Sequence, residues 1–176
     1  MATGRTRNYI AAIDTTTGLA TNWNPNSSST VRTILVSGSI VYVGGNFVLM
    51  GGVTRNRIAA IDASTGTVTN WNPNAGNTVY DLALSGTTMF AAGQFGNIGG
   101  QSRTFVAALN TLVNTNNATA WVCNANNTIF TIALSGTTLF VGGNFSMTGA
   151  QTRNRIAAID TSTGVPTAWN PNANLT

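Results

Sequence analysis

Residues 78–95, TVYDLALSGTTMFAAGQF, contain two strand-like stretches separated by Ser85-Gly86. A Ser-Gly pair between two such stretches is typical of a two-residue β-hairpin turn. The pair recurs as Ser37-Gly38 and as Ser135-Gly136, each time followed by a stretch that ends in GGNF where residues 92–95 have AGQF. The segment therefore predicts a β-hairpin that the chain repeats three times.

Two further motifs follow each hairpin and give the length of the repeat. NRIAAID begins at Asn56 and Asn154, and related motifs begin at Asn8 and Thr104, so the spacings are 48, 48 and 50 residues. WNPN begins at Trp23, Trp71 and Trp169, and WVCN stands at the same position in the third copy. A period near fifty residues in strand-like units indicates a β-propeller or a stacked β-array.

We predict an all-β fold, a β-propeller-type repeat array of four-stranded antiparallel blades. The hairpin supplies the first two strands, RIAAID the third, and TVTNWNP, which begins at Thr67, the fourth. Because the chain has four copies of the second half and three of the first, we expect about three and a half blades: a half-blade at 1–29 and blades at 30–77, 78–127 and 128–176. A ring usually needs at least four blades, so one chain is not expected to close alone.

The composition excludes most catalytic chemistry. Charged residues make up 7% of the 176 residues, where about 25% is usual, and there is no His, Lys or Glu. Without these side chains there is no imidazole base, no His-ligated zinc and no Schiff-base lysine. We expect a protein that is not an enzyme and has no cofactor.

Turn residues recur at the end of the RIAAID strand. An Asp that opens a D-x-x-T-G turn accepts hydrogen bonds from the backbone two residues on, and the glycine supplies a positive φ. The predicted turn residues are Asp14, Asp62, Asp160, Gly18, Gly66 and Gly164. The alternative, a ring of carboxylates for metal or acid-base work, is disfavoured because the third copy has Asn110 at this position.

Two larger side chains also recur once per copy. The tryptophans are expected to pack between blades, with sugar stacking as the alternative; they are Trp23, Trp71, Trp121 and Trp169. The arginines are expected to bind turn aspartates or backbone carbonyls of a neighbouring blade, with an anion-binding ring as the alternative; they are Arg7, Arg55, Arg103 and Arg153. If the second strand lies near the axis, three amides line a channel: Asn46, Gln94 and Asn144.

The repeat resembles the delta-sixty β-propeller repeats of large secreted bacterial proteins, through VYVGGNF, TRNRIAAID, the S-T-G turn and WNPN. It is more distantly similar to quinoprotein-type propeller repeats, whose A-x-D-x-x-T-G…W element docks a tryptophan onto the next blade. Ala60, Asp62, Thr65, Gly66 and Trp71 match that element, although the spacing from Gly to Trp is one residue longer here. The resemblance implies structural roles for these residues and does not imply a bound quinone, since the charged quinone-binding set is missing.

These observations favour a non-enzymatic extracellular scaffold. Open blades and sheet edges favour self-association into a multi-chain ring, filament or tube. The alternative is a glycan-binding or adhesion module, and an excerpt of a larger secreted protein fits the pattern as well. Eight dispersed arginines do not predict nucleic-acid binding, and the uncharged residues 33–54 are interrupted by glycines, so they predict strands rather than membrane insertion. No signal peptide is visible at the start of the sequence.

Overall fold

The computed structural model describes residues 6–173, and this part of the chain consists of strands and turns without a helix. No helix able to cross a membrane is therefore found among these residues. The strands come in three groups of five. The first group is β1 (Val31–Ser37), β2 (Ile40–Gly45), β3 (Leu49–Met50), β4 (Val53–Thr54) and β5 (Ile58–Asp62). The second is β6 (Val79–Ser85), β7 (Thr88–Gly93), β8 (Asn97–Ile98), β9 (Gln101–Ser102) and β10 (Val106–Asn110). The third is β11 (Ile129–Ser135), β12 (Thr138–Gly143), β13 (Met147–Thr148), β14 (Gln151–Thr152) and β15 (Ile156–Asp160).

Each group forms one antiparallel three-stranded sheet with its second strand in the middle. The strand orders are β1-β2-β5, β6-β7-β10 and β11-β12-β15. The predicted hairpin is present in every sheet. Its turn begins with Gly38 in the first sheet, where φ is +55°, a conformation that glycine adopts at little cost. The all-β class with repeated antiparallel sheets is confirmed.

The predicted fourth strand is the main difference from the sequence analysis. The segment around Trp71 contributes only one isolated bridge, Ile61↔Val68, and its equivalents do the same. Pro73 lacks an N–H group that could extend the ladder, and Trp71 turns toward the next sheet. Each sheet of the described residues therefore has three strands and a single-bridge continuation, so the prediction of a full fourth strand is wrong.

The Gly-rich loop after the middle strand forms a short hairpin in each group, which the sequence analysis did not predict. Its two-residue strands pair as β3–β4, β8–β9 and β13–β14. A buried phenylalanine begins each of these loops, and its carbonyl accepts the N–H of a residue just before the third strand, as Phe47 does from Arg57 at 2.8 Å. The loop is thereby held against the sheet.

Neighbouring sheets pack against each other through their apolar faces. One core cluster joins Tyr42 and Ile58 of the first sheet to Leu82 and Met89 of the second. The middle strands β2 and β7 are buried along nearly their whole length, because a neighbour covers each face. The equivalent strand β12 is only partly buried, since no sheet follows it among the described residues.

Candidate functional site

The tryptophans join each repeat to the next one. The indole Nε1 of Trp23 donates a hydrogen bond to the carbonyl of Asp62 at 3.0 Å, and Trp71 donates to Asn110 at 3.1 Å. Trp121 donates to the carbonyl of Asp160 at 3.1 Å. Each acceptor belongs to the turn of the following repeat, so these three rings lie between repeats. The sequence analysis predicted this position, with sugar stacking as the alternative.

Trp169 differs from the other three tryptophans in its surroundings. Its exposed fraction is 44%, against 3% for Trp71 and 7% for Trp121. Its ring still makes the edge-on contact with Phe140 that Trp71 makes with Tyr42, at 5.4 and 5.3 Å between centroids. The ring is therefore oriented as in the inner repeats, while the turn that it would contact is absent from the described residues.

The aspartates accept hydrogen bonds from residues of their own turns. Asp62 Oδ1 accepts the N–H groups of Ser64 and Thr65 at 3.0 and 2.8 Å, and also both of their hydroxyls. These bonds, with the Ser64 hydroxyl first, lower the pKa of Asp62 to about 2, and equivalent bonds from Ser162 and Thr163 do the same for Asp160. Asp14 accepts the N–H groups of Thr16 and Thr17 and one hydroxyl, that of Thr17, and its pKa is lowered mainly by the backbone N–H of Thr17.

The third copy replaces this carboxylate with an amide, and its turn is two residues longer, because the N–H of Asn110 donates to the carbonyl of Asn117 whereas that of Asp62 donates to Thr67. Asn110 Oδ1 accepts the N–H of Leu112 at 2.8 Å. No group of three His, Cys, Asp or Glu side chains suited to a metal ion occurs within residues 6–173. The glycines of these turns, Gly18, Gly66 and Gly164, have φ of +70°, +76° and +76°.

These low pKa values predict a stability change in acid. A carboxylate whose folded pKa lies below its unfolded value stabilises the fold above the unfolded pKa, about 3.9 for Asp, and this stabilisation is lost as the pH falls toward the folded pKa. We expect a level thermal midpoint from pH 7 to 5 and a decline between about pH 4 and 2. The Asp62→Asn variant should have a lower midpoint at pH 7 and a smaller decline in acid, and an unchanged acid profile would contradict the assignment.

The arginines contact the backbone of their own repeat rather than the turn aspartates or the neighbouring blade. Arg55 Nη2 donates to the carbonyl of Thr69 at 2.6 Å, and Nη1 donates to that of Thr54 at 2.8 Å. Arg7, Arg103 and Arg153 bond to the equivalent carbonyls of Thr21, Thr119 and Thr167. These contacts attach the segment before each tryptophan to the body of its repeat. The guanidinium groups are thus held at backbone carbonyls, and the anion-binding ring stays a prediction.

The three amides predicted to line a channel follow the middle strand of each sheet, which is not the strand nearest to the neighbouring sheets. The first strands β1, β6 and β11 lie side by side instead. Asn46, Gln94 and Asn144 are exposed at the strand ends, and Asn46 Oδ1 accepts a hydrogen bond from Arg32 Nε at 2.9 Å. The condition for a channel-lining role is therefore not met.

A row of side chains on the first strands was missed by the sequence analysis. The register shifts between Val31 and Thr33, and equivalent bulges occur in β6 and β11. The bulged residues are Arg32, Tyr80 and Phe130. The Arg32 guanidinium lies 5.1 Å from the Tyr80 ring centroid, and the Tyr80 and Phe130 rings lie 5.4 Å apart. Cation-π and edge-on aromatic contacts thus join three sheets along one partly exposed row.

Asp81 joins the same three strands below this row. Its Oδ2 accepts the backbone N–H of Ile132 at 2.8 Å and the hydroxyl of Thr131 at 3.1 Å. Its Oδ1 accepts the hydroxyl of Thr33 at 3.3 Å from the other side. The signal in the sequence was present, since Asp81 is the one aspartate outside a D-x-x-T-G turn and the other copies have Thr33 and Thr131 there.

The two ends of the array expose positions that are buried inside it. Ile13 is 54% exposed, whereas the equivalent Ile61, Leu109 and Ile159 are fully buried. Ile34 is 54% exposed at the same end, against 6% for the equivalent Leu82. At the other end Trp169 is open, and a groove of about 120 Å³ lies beside Phe140 and Gly142.

Comparison with known proteins supports the fold class. No family model matches the sequence, and no curated protein matches it. The solved structure of the computationally designed Ika4 protein aligns with a TM-score of 0.55 and 14% identity, over 84% of this chain and 75% of that one. The computationally designed Ika8 protein aligns with a TM-score of 0.52 and 15% identity, over 80% of this chain and 36% of that one. At such identities the similarity concerns the all-β fold alone, and the delta-sixty resemblance stays a prediction.

Proposed function

We propose that this chain is a non-enzymatic extracellular scaffold whose propeller-like repeat array self-associates end to end. The observation that carries the proposal is the contrast between equivalent positions. Ile13 and Trp169 are exposed at opposite ends, while their counterparts inside the array are buried against the neighbouring repeat. Exposed apolar faces of this kind mark interaction sites.

Each end of the array has one half of the contact that joins neighbouring repeats inside it. Inside the array, each tryptophan donates to the carbonyl of the turn aspartate or asparagine in the next repeat. Trp169 lacks this partner among the described residues, and the turn of Asp14 has no tryptophan docked on it there. In the proposed contact, Trp169 of one copy binds the turn of Asp14 in the next copy, and Ile13 is covered by the same face.

Such a contact joins two different surfaces, so it propagates head to tail. A head-to-tail contact produces a closed ring when its rotation closes and a filament when it does not. Electrostatic repulsion between copies is weak, because only 7% of the residues are charged, and this favours association. Both a multi-chain ring and a filament are consistent with this array.

The proposal predicts that assembly depends on Ile13. Wild-type protein should form a ring of discrete mass or a fibre far heavier than 18.2 kDa, as measured by size exclusion with light scattering and by electron microscopy. Ile13→Asp should give a monomer with a nearly unchanged thermal midpoint, because the side chain is 54% exposed.

The matched control is Leu112→Asp, which places the same charge at a 77% exposed position on an outer turn. This variant should assemble as the wild type does. A wild-type monomer at every concentration, or equal loss of assembly in both variants, would overturn the proposal.

Glycan binding is the second candidate, and the row of Arg32, Tyr80 and Phe130 favours it. A row of a half-buried and an exposed aromatic ring, beside a guanidinium and the amide of Asn46, offers stacking and hydrogen-bonding groups to a polysaccharide. This function requires a thermal midpoint that rises with added polysaccharide in the wild type and not in Tyr80→Ala. An equal response in the two proteins would exclude this row as the binding site.

A further inference from the structure

The N-terminal end of the array contains an unpaired strand edge. Residues 10–14 correspond to the third strand of the repeat, which pairs with the middle strand in all three complete sheets. Within the described residues, this segment makes only the isolated bridge between Ile13 and Ala20. The edge that would face a middle strand is therefore open.

This edge is held in the conformation of its paired counterparts. Tyr9 has φ of +63°, and the equivalent Arg57 has +61°, although such values are uncommon for residues other than glycine. The amide of Asn8 donates to Asn26 Oδ1 at 2.7 Å, as Asn56 does to Asn74 at 2.6 Å. The N-terminal segment is thus preorganised to pair with a strand, which reduces the entropic cost of binding one.

An apolar groove of about 170 Å³ lies beside this edge. Its lining includes Ile10 and Ala12 from the N-terminal segment and Ile34 and Val36 from β1. Ile34 and Val36 are 54% and 65% exposed, whereas the equivalent Leu82 is covered by the preceding sheet. We call the open edge of residues 10–14 together with Ile34 and Val36 the N-terminal notch.

We propose that the N-terminal notch binds a β-hairpin of the β1–β2 type from another polypeptide that carries the same repeat. The complete repeats supply the template for each bond. The carbonyl of Tyr9 accepts a glycine N–H of the hairpin, as Arg57 accepts from Gly45 at 2.9 Å. The N–H of Tyr9 donates to a phenylalanine carbonyl, as Arg57 donates to Phe47.

Side chains define the occupant further. Tyr42 packs edge-on against Trp71 in the first sheet and Phe90 against Trp121 in the second, but Trp23 has no such aromatic partner among residues 6–173. An aromatic residue on the second strand of the incoming hairpin supplies this contact. Its first strand covers Ile34 and Val36, as the first sheet covers Leu82 of the second.

An intact second copy of the described array does not provide this hairpin, because its three hairpins are already paired with their own third strands. The partner must therefore present a hairpin with a free edge. The inference rests on the proposed scaffold function, since it names the partner that completes the N-terminal end where the next copy docks.

The experiment uses the Trp169→Ala chain and the labelled peptide of residues 30–47, TVRTILVSGSIVYVGGNF. Trp169 lies at the opposite end of the array, so this variant lacks the ring of the proposed end-to-end contact and leaves the notch unchanged. We expect saturable binding by fluorescence anisotropy. The amide hydrogens of Tyr9 and Thr15 should exchange about tenfold more slowly with peptide bound, because their equivalents donate to the hairpin.

Adding Ile34→Asp and Val36→Asp should weaken binding about tenfold or more without lowering the thermal midpoint, whereas adding Leu112→Asp should leave binding unchanged. A peptide with the same residues in scrambled order should not bind. No binding, or binding without protection of Tyr9 and Thr15, overturns the hairpin inference even if the wild type assembles. A monomeric wild type that binds the peptide would instead overturn end-to-end assembly alone.

Discussion

Replacing Trp71 by alanine should destabilise the array by about 3–5 kcal/mol, the loss typical of removing a large buried aromatic side chain. The ring is 3% exposed and packs edge-on against Tyr42 at 5.3 Å. Its Nε1 also donates to the carbonyl of Asn110 in the next repeat, so the substitution leaves that carbonyl without its partner. Urea unfolding followed by circular dichroism measures the change in the free energy of unfolding.

The chain supplies its own control in Trp169, which occupies the same repeat position and is 44% exposed. Trp169→Ala should cost about 1 kcal/mol or less in a monomeric background such as Ile13→Asp, because the ring is not covered by a following repeat. Trp71→Phe should fall between the two, since it keeps most of the buried area and loses the hydrogen bond. Equal losses at Trp71 and Trp169 would contradict a role for burial between repeats.

The hairpin and the third strand of each sheet could be predicted because their signals are local. Ser37-Gly38 marks the turn, and apolar residues on both sides of it indicate buried strands. TVTNWNP was predicted to be the fourth strand, but Pro73, which lacks an N–H group, and Trp71, which turns toward the next sheet, end the pairing after one bridge. The loop hairpins were missed because two-residue strands have no periodicity that a sequence can show.

The position of the strands relative to one another could not be derived from composition alone. The sequence analysis considered a second strand near the axis, and this strand ends in paired small residues such as Gly44-Gly45. In the structure, Gly44 instead allows close contact between sheets, since a Cβ atom there would lie 2.7 Å from a methyl group of Val79. The small size of Gly44 therefore reflects close packing against the next sheet and not a position beside a channel.

In the candidate site too, the sequence predicts contacts within one repeat better than contacts between repeats. Residues that serve one repeat were recognisable, because the turn of Asp62 has a local hydrogen-bond pattern. Contacts that join different repeats depend on how sheets are stacked, and the sequence alone does not show stacking. One difference between copies did point to a contact between repeats, because Asp81 stands where the other repeats have threonine.

Asp81→Ala should destabilise the chain by about 2–3 kcal/mol, because hydrogen bonds to a charged acceptor are among the stronger ones in proteins. The substitution removes the acceptor of the Ile132 backbone N–H and of the Thr131 hydroxyl in the third sheet. It also removes the weaker bond from Thr33 in the first sheet. The three first strands therefore lose their shared polar contact, and urea unfolding should give a lower midpoint.

A double-mutant cycle separates coupling between sheets from general destabilisation. Thr131→Val removes one of the bonds to Asp81, so its effect should be clearly smaller in the Asp81→Ala background than in the wild type. Thr33→Val should cost less than Thr131→Val, since its hydroxyl lies 3.3 Å from Asp81 rather than 3.1 Å. Additive losses for Asp81 and Thr131 would mean that the carboxylate does not couple the second and third sheets. A non-additive result would identify Asp81 as a polar contact that couples the second and third sheets.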